Sequence, residues 1–140
     1  MNPKSYDGYT TLVVRIDDIN YGGHLGHDHL VTILHQARLD FFAQLGGSEL
    51  DLYGTGLIMR QLQVDYLAEA FLGDRLTIWM RIVRVKAARF TIEYLIKRDE
   101  TVIAKAMTLM VSFDYQARKV IAIPQVLQQK FSELIHEREL

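Results

Sequence analysis

The most constraining feature of this chain is a single apolar stripe between His27 and Leu45. Leu30, Ile33, Leu34, Ala37, Phe41 and Leu45 fall at i, i+3, i+4, i+7, i+11 and i+15. That spacing is one face of an α-helix. Asp28 stands where it would cap the helix or favour it through the dipole. Gly46-Gly47 ends it. A helix with one apolar face needs a partner layer, and the rest of the chain supplies strands.

Thr10 to Ile16 is β-branched and apolar, which reads as a short buried strand. A polar, Gly-rich loop, residues 17–26, separates it from the helix. After the helix, Gly56 to Ala68 alternates imperfectly, and Gly73-Asp74 makes a turn. Leu76, Ile78, Met80 and Ile82 alternate with Thr77, Trp79, Arg81 and Val83. A turn near Ala87-Ala88 leads to Phe90, Ile92, Tyr94 and Ile96, and a turn at Asp99-Glu100 leads to Val102 through Phe113. These three segments read as an antiparallel meander. Lys119 to Ile123 extends the last strand, and Pro124 opens a short C-terminal helix carrying Leu127, Phe131, Leu134 and Ile135. The order of one strand, a long helix and four strands predicts an α+β layer structure, with the sheet curled around the helix.

No repeat, linker or low-complexity tract divides the 140 residues, so one domain over 1–140 is expected. A chain of this size buries about two-thirds of its unfolded surface. Hydrophobic residues make up 49% and charged residues 24%, which argues against disorder. The net charge of −1 lacks the basic footprint of a nucleic-acid or anionic-membrane binder. The absence of cysteine excludes disulfides, thiolate metal sites and a cysteine nucleophile. Residues 1–7 contain no apolar leader run, and no apolar stretch approaches the roughly 20 residues of a membrane-spanning helix. A cytoplasmic location is therefore expected.

Function enters through the segment Arg15-Ile16-Asp17-Asp18-Ile19-Asn20-Tyr21-Gly22-Gly23-His24-Leu25-Gly26-His27. It resembles the signature of hotdog-fold acyl-CoA thioesterases related to 4-hydroxybenzoyl-CoA thioesterase. Asp18 matches the first Asp of that pattern, Gly23-His24 its Gly-His pair, and Ala37-Arg38 the Ala-Arg of its helix. Val64-Asp65-Tyr66-Leu67-Ala68-Glu69-Ala70 before Gly73-Asp74, and Phe113-Asp114 before Arg118-Lys119 and Pro124, match later parts. The resemblance runs from about residue 10 to residue 125. It implies a hotdog fold, hydrolysis of an acyl-CoA, and assembly as a homodimer or homotetramer with sites between subunits. Val31, Leu39 and Phe42, apolar but off the main stripe, add a reason to expect self-association. The departures bear on chemistry. The family's second Asp, often its catalytic carboxylate, falls on Asn20, and its helix Glu falls on His35.

Thioester hydrolysis needs donors for the developing oxyanion, a group that activates water, and grip on the CoA handle. A Gly-rich loop feeding a helix N-terminus supplies donors, with Gly23 and Gly26 letting the backbone approach a ligand. Asn20 is a neutral amide and cannot act as a base. Asp18 is the first choice for that role and His35 the second, with His24 also titratable. On an extended strand end Asp18 and Asn20 would point the same way, about 7 Å apart. The other reading of Asp18 is a loop-ordering side chain. His27, directly after Gly26, is a candidate substrate-binding residue. His24, His27 and His29 do not share one helix face, so no metal is expected, and no cofactor either. Arg84, Lys86 and Arg89 cluster around one hairpin and are candidates for the CoA phosphates. A dehydratase of the same fold would need a Pro in the loop and a carboxylate on the helix. The competing reading is a non-hydrolysing acyl-thioester binding module, favoured by Asn20 and His35.

Overall fold

In the computed structural model, which describes residues 5–140, six strands form one antiparallel sheet against two helices. Strand β1 (Gly8–Val13) is followed by a 3₁₀ turn (Ile16–Asp18) and helix α1 (His27–Gln44). Strands β2 (Gly56–Tyr66), β3 (Arg75–Val83), β4 (Arg89–Arg98), β5 (Thr101–Asp114) and β6 (Lys119–Val120) come next, then helix α2 (Gln125–Glu139).

The sheet order is β1-β3-β4-β5-β2, with β6 paired to β5. The expected meander, β3-β4-β5, is its centre. β1 and β2 are neighbours in sequence but stand at opposite ends of that order, so the segment joining them crosses the sheet. That segment is α1, and this topology seats the helix on the sheet face. Alternation then sets the core. Leu76, Ile78, Met80 and Ile82 of β3 and Phe90, Ile92, Tyr94 and Ile96 of β4 are buried. They form one cluster with Leu30, Ile33, Leu34, Ala37 and Phe41 of α1. α2 adds Leu127 and Phe131, the latter with its ring 4.6 Å from that of Phe90.

α1 ends in a complete Schellman motif. Gly46 N–H donates to Ala43 O and Gly47 N–H to Phe42 O, with Gly46 at φ 96°. Its N-cap is Gly26, and Asp28 lies inside the first turn, where the dipole favours it.

Three expectations change. β1 starts earlier and stops at Val13, because its partner β3 begins at Arg75 and pairing runs out there. Ile16 therefore sits in the 3₁₀ turn and is 68% exposed. Phe42 is fully buried in its own protomer, in one cluster with Leu52 and Leu127, so it offers nothing to an interface. The C-terminal helix runs 15 residues and is not short.

Candidate active site

The loop between the 3₁₀ turn and α1 is folded by its own backbone. Asn20 N–H donates to His24 O at 2.9 Å, Gly23 N–H to Asn20 O at 3.1 Å and Gly26 N–H to Asp18 O at 2.9 Å. The Asn20 side chain completes the turn: its Oδ1 accepts from Gly22 N–H at 2.9 Å and His24 N–H at 3.4 Å. Gly23 holds φ 81°, a left-handed conformation that glycine takes without strain.

This loop forms one wall of a cavity of about 350 Å³. Asn20, His24, Gly26, His27 and Leu30 line it from the loop and α1. Tyr66 to Ala70 line it from the end of β2 and the connection beyond, and Ile103 from β5. The two walls are tied together, because Leu25 N–H donates to Ala70 O at 2.8 Å and Tyr66 Oη donates to His27 O at 2.8 Å. Burial, helped by the Asp28 carboxylate, raises the Tyr66 hydroxyl above its ordinary pKa, so it stays a donor. Gly26 has no side chain to cap α1, which leaves first-turn amides without a side-chain partner at the cavity wall.

His24 is held by its Nδ1, 3.0 Å from Leu25 O. A carbonyl only accepts, so Nδ1 carries the proton and Nε2 of the neutral ring is the free base. That Nε2 lies 4.0 Å from Glu69 Oε1.

The structure brings together Asn20, His24, Gly26 and His27 of the residues singled out from sequence. Asp18 is elsewhere engaged. The 3₁₀ turn folds it back, so Oδ2 accepts from Arg15 N–H at 2.8 Å and Oδ1 lies 3.4 Å from His29 Nδ1. The extended geometry with two side chains pointing the same way is thus replaced by a turn, and Asp18 does not line the cavity. Gly23 is part of the turn. His35 is exposed on α1 and meets Glu49 Oε2 at 3.2 Å. Arg84, Lys86 and Arg89 border a separate groove of about 620 Å³ with Asp65, Glu93 and Lys105. Arg89 is level with Val111 and Tyr66 with Ala104 on β5. Seven strand positions, about 23 Å, separate the two levels. Glu69 was not singled out as a site residue, although a lone carboxylate in the apolar run Leu67-Ala68-Glu69-Ala70-Phe71-Leu72 was a usable signal. His24 lies in the loop and His27 and His29 in the first turn of α1, and among the described residues no group of three potential metal ligands converges.

Comparison with known proteins agrees with this architecture. The family model of the thioesterase-like superfamily matches residues 14–131. A 1,4-dihydroxy-2-naphthoyl-CoA hydrolase of Microcystis aeruginosa is 28% identical over 119 residues, covering 83% of this chain and 86% of its own. The acyl-CoA thioesterase YbgC of Haemophilus influenzae is 23% identical over 124 residues, covering 86% and 91%. A Thermus thermophilus thioesterase solved with coenzyme A and zinc superposes with a TM-score of 0.82 at 19% identity, covering 93% of this chain and 95% of that one. With the sheet wrapped on α1 and a model match spanning most of its length, the chain belongs to the thioesterase-like superfamily and has the hotdog fold.

Proposed function

We propose that this chain hydrolyses an acyl-CoA thioester to the free acid and CoA. The observation that carries the reading is the cavity where a glycine-capped helix N-terminus meets Asn20 and His24. The relatives named above, a naphthoyl-CoA hydrolase and an acyl-CoA thioesterase, support the substrate class. The thioester carbonyl would face the first-turn amides of α1, where developing negative charge is stabilised by N–H groups and the helix dipole. Apolar walls from Leu25, Leu30, Ala70 and Ile103 suit an acyl group. Asn20 stands where the resemblance expects a carboxylate, so its part is to orient the loop rather than to take a proton.

The active form is an assembly of at least two copies. Among the described residues β2 is a sheet edge 11 residues long with its outer ladder unpaired, a feature that proteins normally cover. Antiparallel pairing of two such edges reverses the partner's direction. The Arg89 end of one sheet then lies beside the Tyr66 end of the other. Arg84, Lys86 and Arg89 would thus serve a CoA bound mainly by the neighbouring subunit. No described helix is long and apolar enough to cross a membrane, and the reaction as read proceeds in the cytoplasm.

Release of free thiol from a panel of aliphatic and aromatic acyl-CoAs tests the reading. Turnover of at least one is expected. Tight binding of acyl-CoA without turnover would instead favour an acyl-thioester binding module, the reading that the neutral Asn20 supports.

A further inference from the structure

We infer that His24 is the general base of the hydrolysis and that Glu69 is its positioning carboxylate; this rests on the proposed function. By the resemblance the family's carboxylate position falls on Asn20, an amide, and its Oδ1 is turned toward Gly22 and His24 N–H. Asp18 is occupied by Arg15 N–H and His29. Among the described residues lining the cavity, Glu69 is the one carboxylate.

Two histidines line the same cavity, and geometry separates them. His27 shows an edge-on contact with Tyr66, its ring 6.4 Å away. His24 is fixed as a proton acceptor, because Leu25 O holds Nδ1–H and leaves Nε2 unprotonated. Its side chain is 33% exposed, open enough for water to reach. Glu69 Oε1 lies 4.0 Å from that same Nε2. The Glu69 side chain is 64% exposed, and the backbones beside the pair are bonded, Leu25 N–H to Ala70 O, one residue beyond each side chain.

The reaction balances with these groups alone. His24 Nε2 takes a proton from water, and the water oxygen bonds to the thioester carbon. The carbonyl oxygen becomes an oxyanion facing the first-turn amides of α1. The C–S bond breaks, and the CoA sulfur leaves with the proton returned by His24. The imidazolium is positive between these two transfers, and the Glu69 carboxylate 4.0 Å away carries the opposite charge. Glu69 exchanges no proton; it stands 4.0 Å from Nε2, on the side of the ring where the water is taken.

The experiment is steady-state kinetics on the intact protein with the best acyl-CoA of the panel. His24→Gln should lower kcat by about 10²-fold or more, with little change in KM. Glu69→Gln should lower kcat about tenfold, again with KM unchanged, and Glu69→Asp should recover part of the loss. Because Glu69 acts through His24, the double variant should be no slower than His24→Gln alone. Added imidazole should speed His24→Ala and not Glu69→Gln. Full activity of Glu69→Gln, or losses that multiply in the double variant, would overturn the pair while leaving the hydrolase reading in place. A wild type that turns over no acyl-CoA would remove both.

Discussion

Arg38 Nε donates to Glu49 Oε1 at 2.5 Å, joining the buried face of α1 to the loop that follows it. Arg38 is only 6% exposed. Its Nη1 also reaches the hydroxyl of Tyr94 at 3.4 Å, which in turn pairs with Thr108 at 2.8 Å. A charged residue thus sits between helix and sheet, matched by one carboxylate. Removing that carboxylate strands the guanidinium. Glu49→Ala should destabilise by about 3 kcal/mol in urea or thermal unfolding. The double change Arg38→Met with Glu49→Gln should cost less, since no buried charge is left unpaired. A double variant less stable than Glu49→Ala would contradict this account.

The unpaired β2 edge makes assembly measurable. Sedimentation at micromolar concentration should give a mass of at least two 16.2 kDa chains. Gln61 and Gln63, exposed on β2 opposite Leu109 and Met107, would lie close to a partner strand. Gln61→Lys together with Gln63→Lys puts like charge along that edge and should shift the protein toward monomer and lower activity together, while its far-UV circular dichroism stays native. A wild-type monomer would remove the reading in which the substrate spans two subunits.

Much of this architecture was readable because periodicity reports burial. The helix stripe ended up on the sheet, and the alternating residues of β3 and β4 ended up beneath it. The Gly46-Gly47 stop also matched its chemistry. What periodicity does not report is where pairing ends. Thr10 to Ile16 looks uniformly like strand, yet the partner strand stops at Arg75 and the chain turns. That turn redirects Asp18 onto Arg15 N–H, which no residue pattern in the loop signals. Phe42 was misread for a related reason. A helix stripe describes one covering layer, and residues beyond α1 provide a second. The candidate site was legible on the loop side, where a motif marks it. Glu69 arrives from a connection 45 positions after His24 in sequence, and only the fold brings it near.

Asp74 and Tyr94 each give stability a dependence on pH. Asp74 accepts from Phe71 N–H and from Arg98, at 2.8 and 2.9 Å, and these hold its carboxyl below the ordinary value of 3.8 despite some desolvation. A depressed carboxyl stabilises the fold above its unfolded pKa, and the stabilisation is lost as pH falls through the folded value. Asp74→Asn should therefore be less stable than wild type at neutral pH, and the gap should close as pH falls through the lowered value of the folded carboxyl. Tyr94 behaves oppositely. Burial raises its hydroxyl above 10.0, with Arg38 and Thr108 pulling partly back. Its contribution is complete below the unfolded pKa and disappears as pH rises through the folded value. Tyr94→Phe should flatten the loss of stability above about pH 10. Equal pH curves for wild type and either variant would refute the corresponding assignment.

Asn20→Asp separates the two jobs of this position. The side chain serves the loop as an acceptor, through Oδ1 to Gly22 and His24 N–H. A carboxylate keeps both of those bonds and strengthens them, since an ionised acceptor binds amides more tightly. Asn20→Asp should therefore fold like wild type. Asn20→Leu, which loses the acceptor, should cost about 1 kcal/mol or more. On activity Asn20→Asp adds a second base to the cavity wall. It should keep or raise kcat, and in the His24→Gln background it should restore part of what that change removes. If Asn20→Asp lowers kcat in a stable protein, the amide itself is needed at the reacting centre. Its Nδ2 would then be a donor to the thioester, and Asn20 would no longer be only a loop residue.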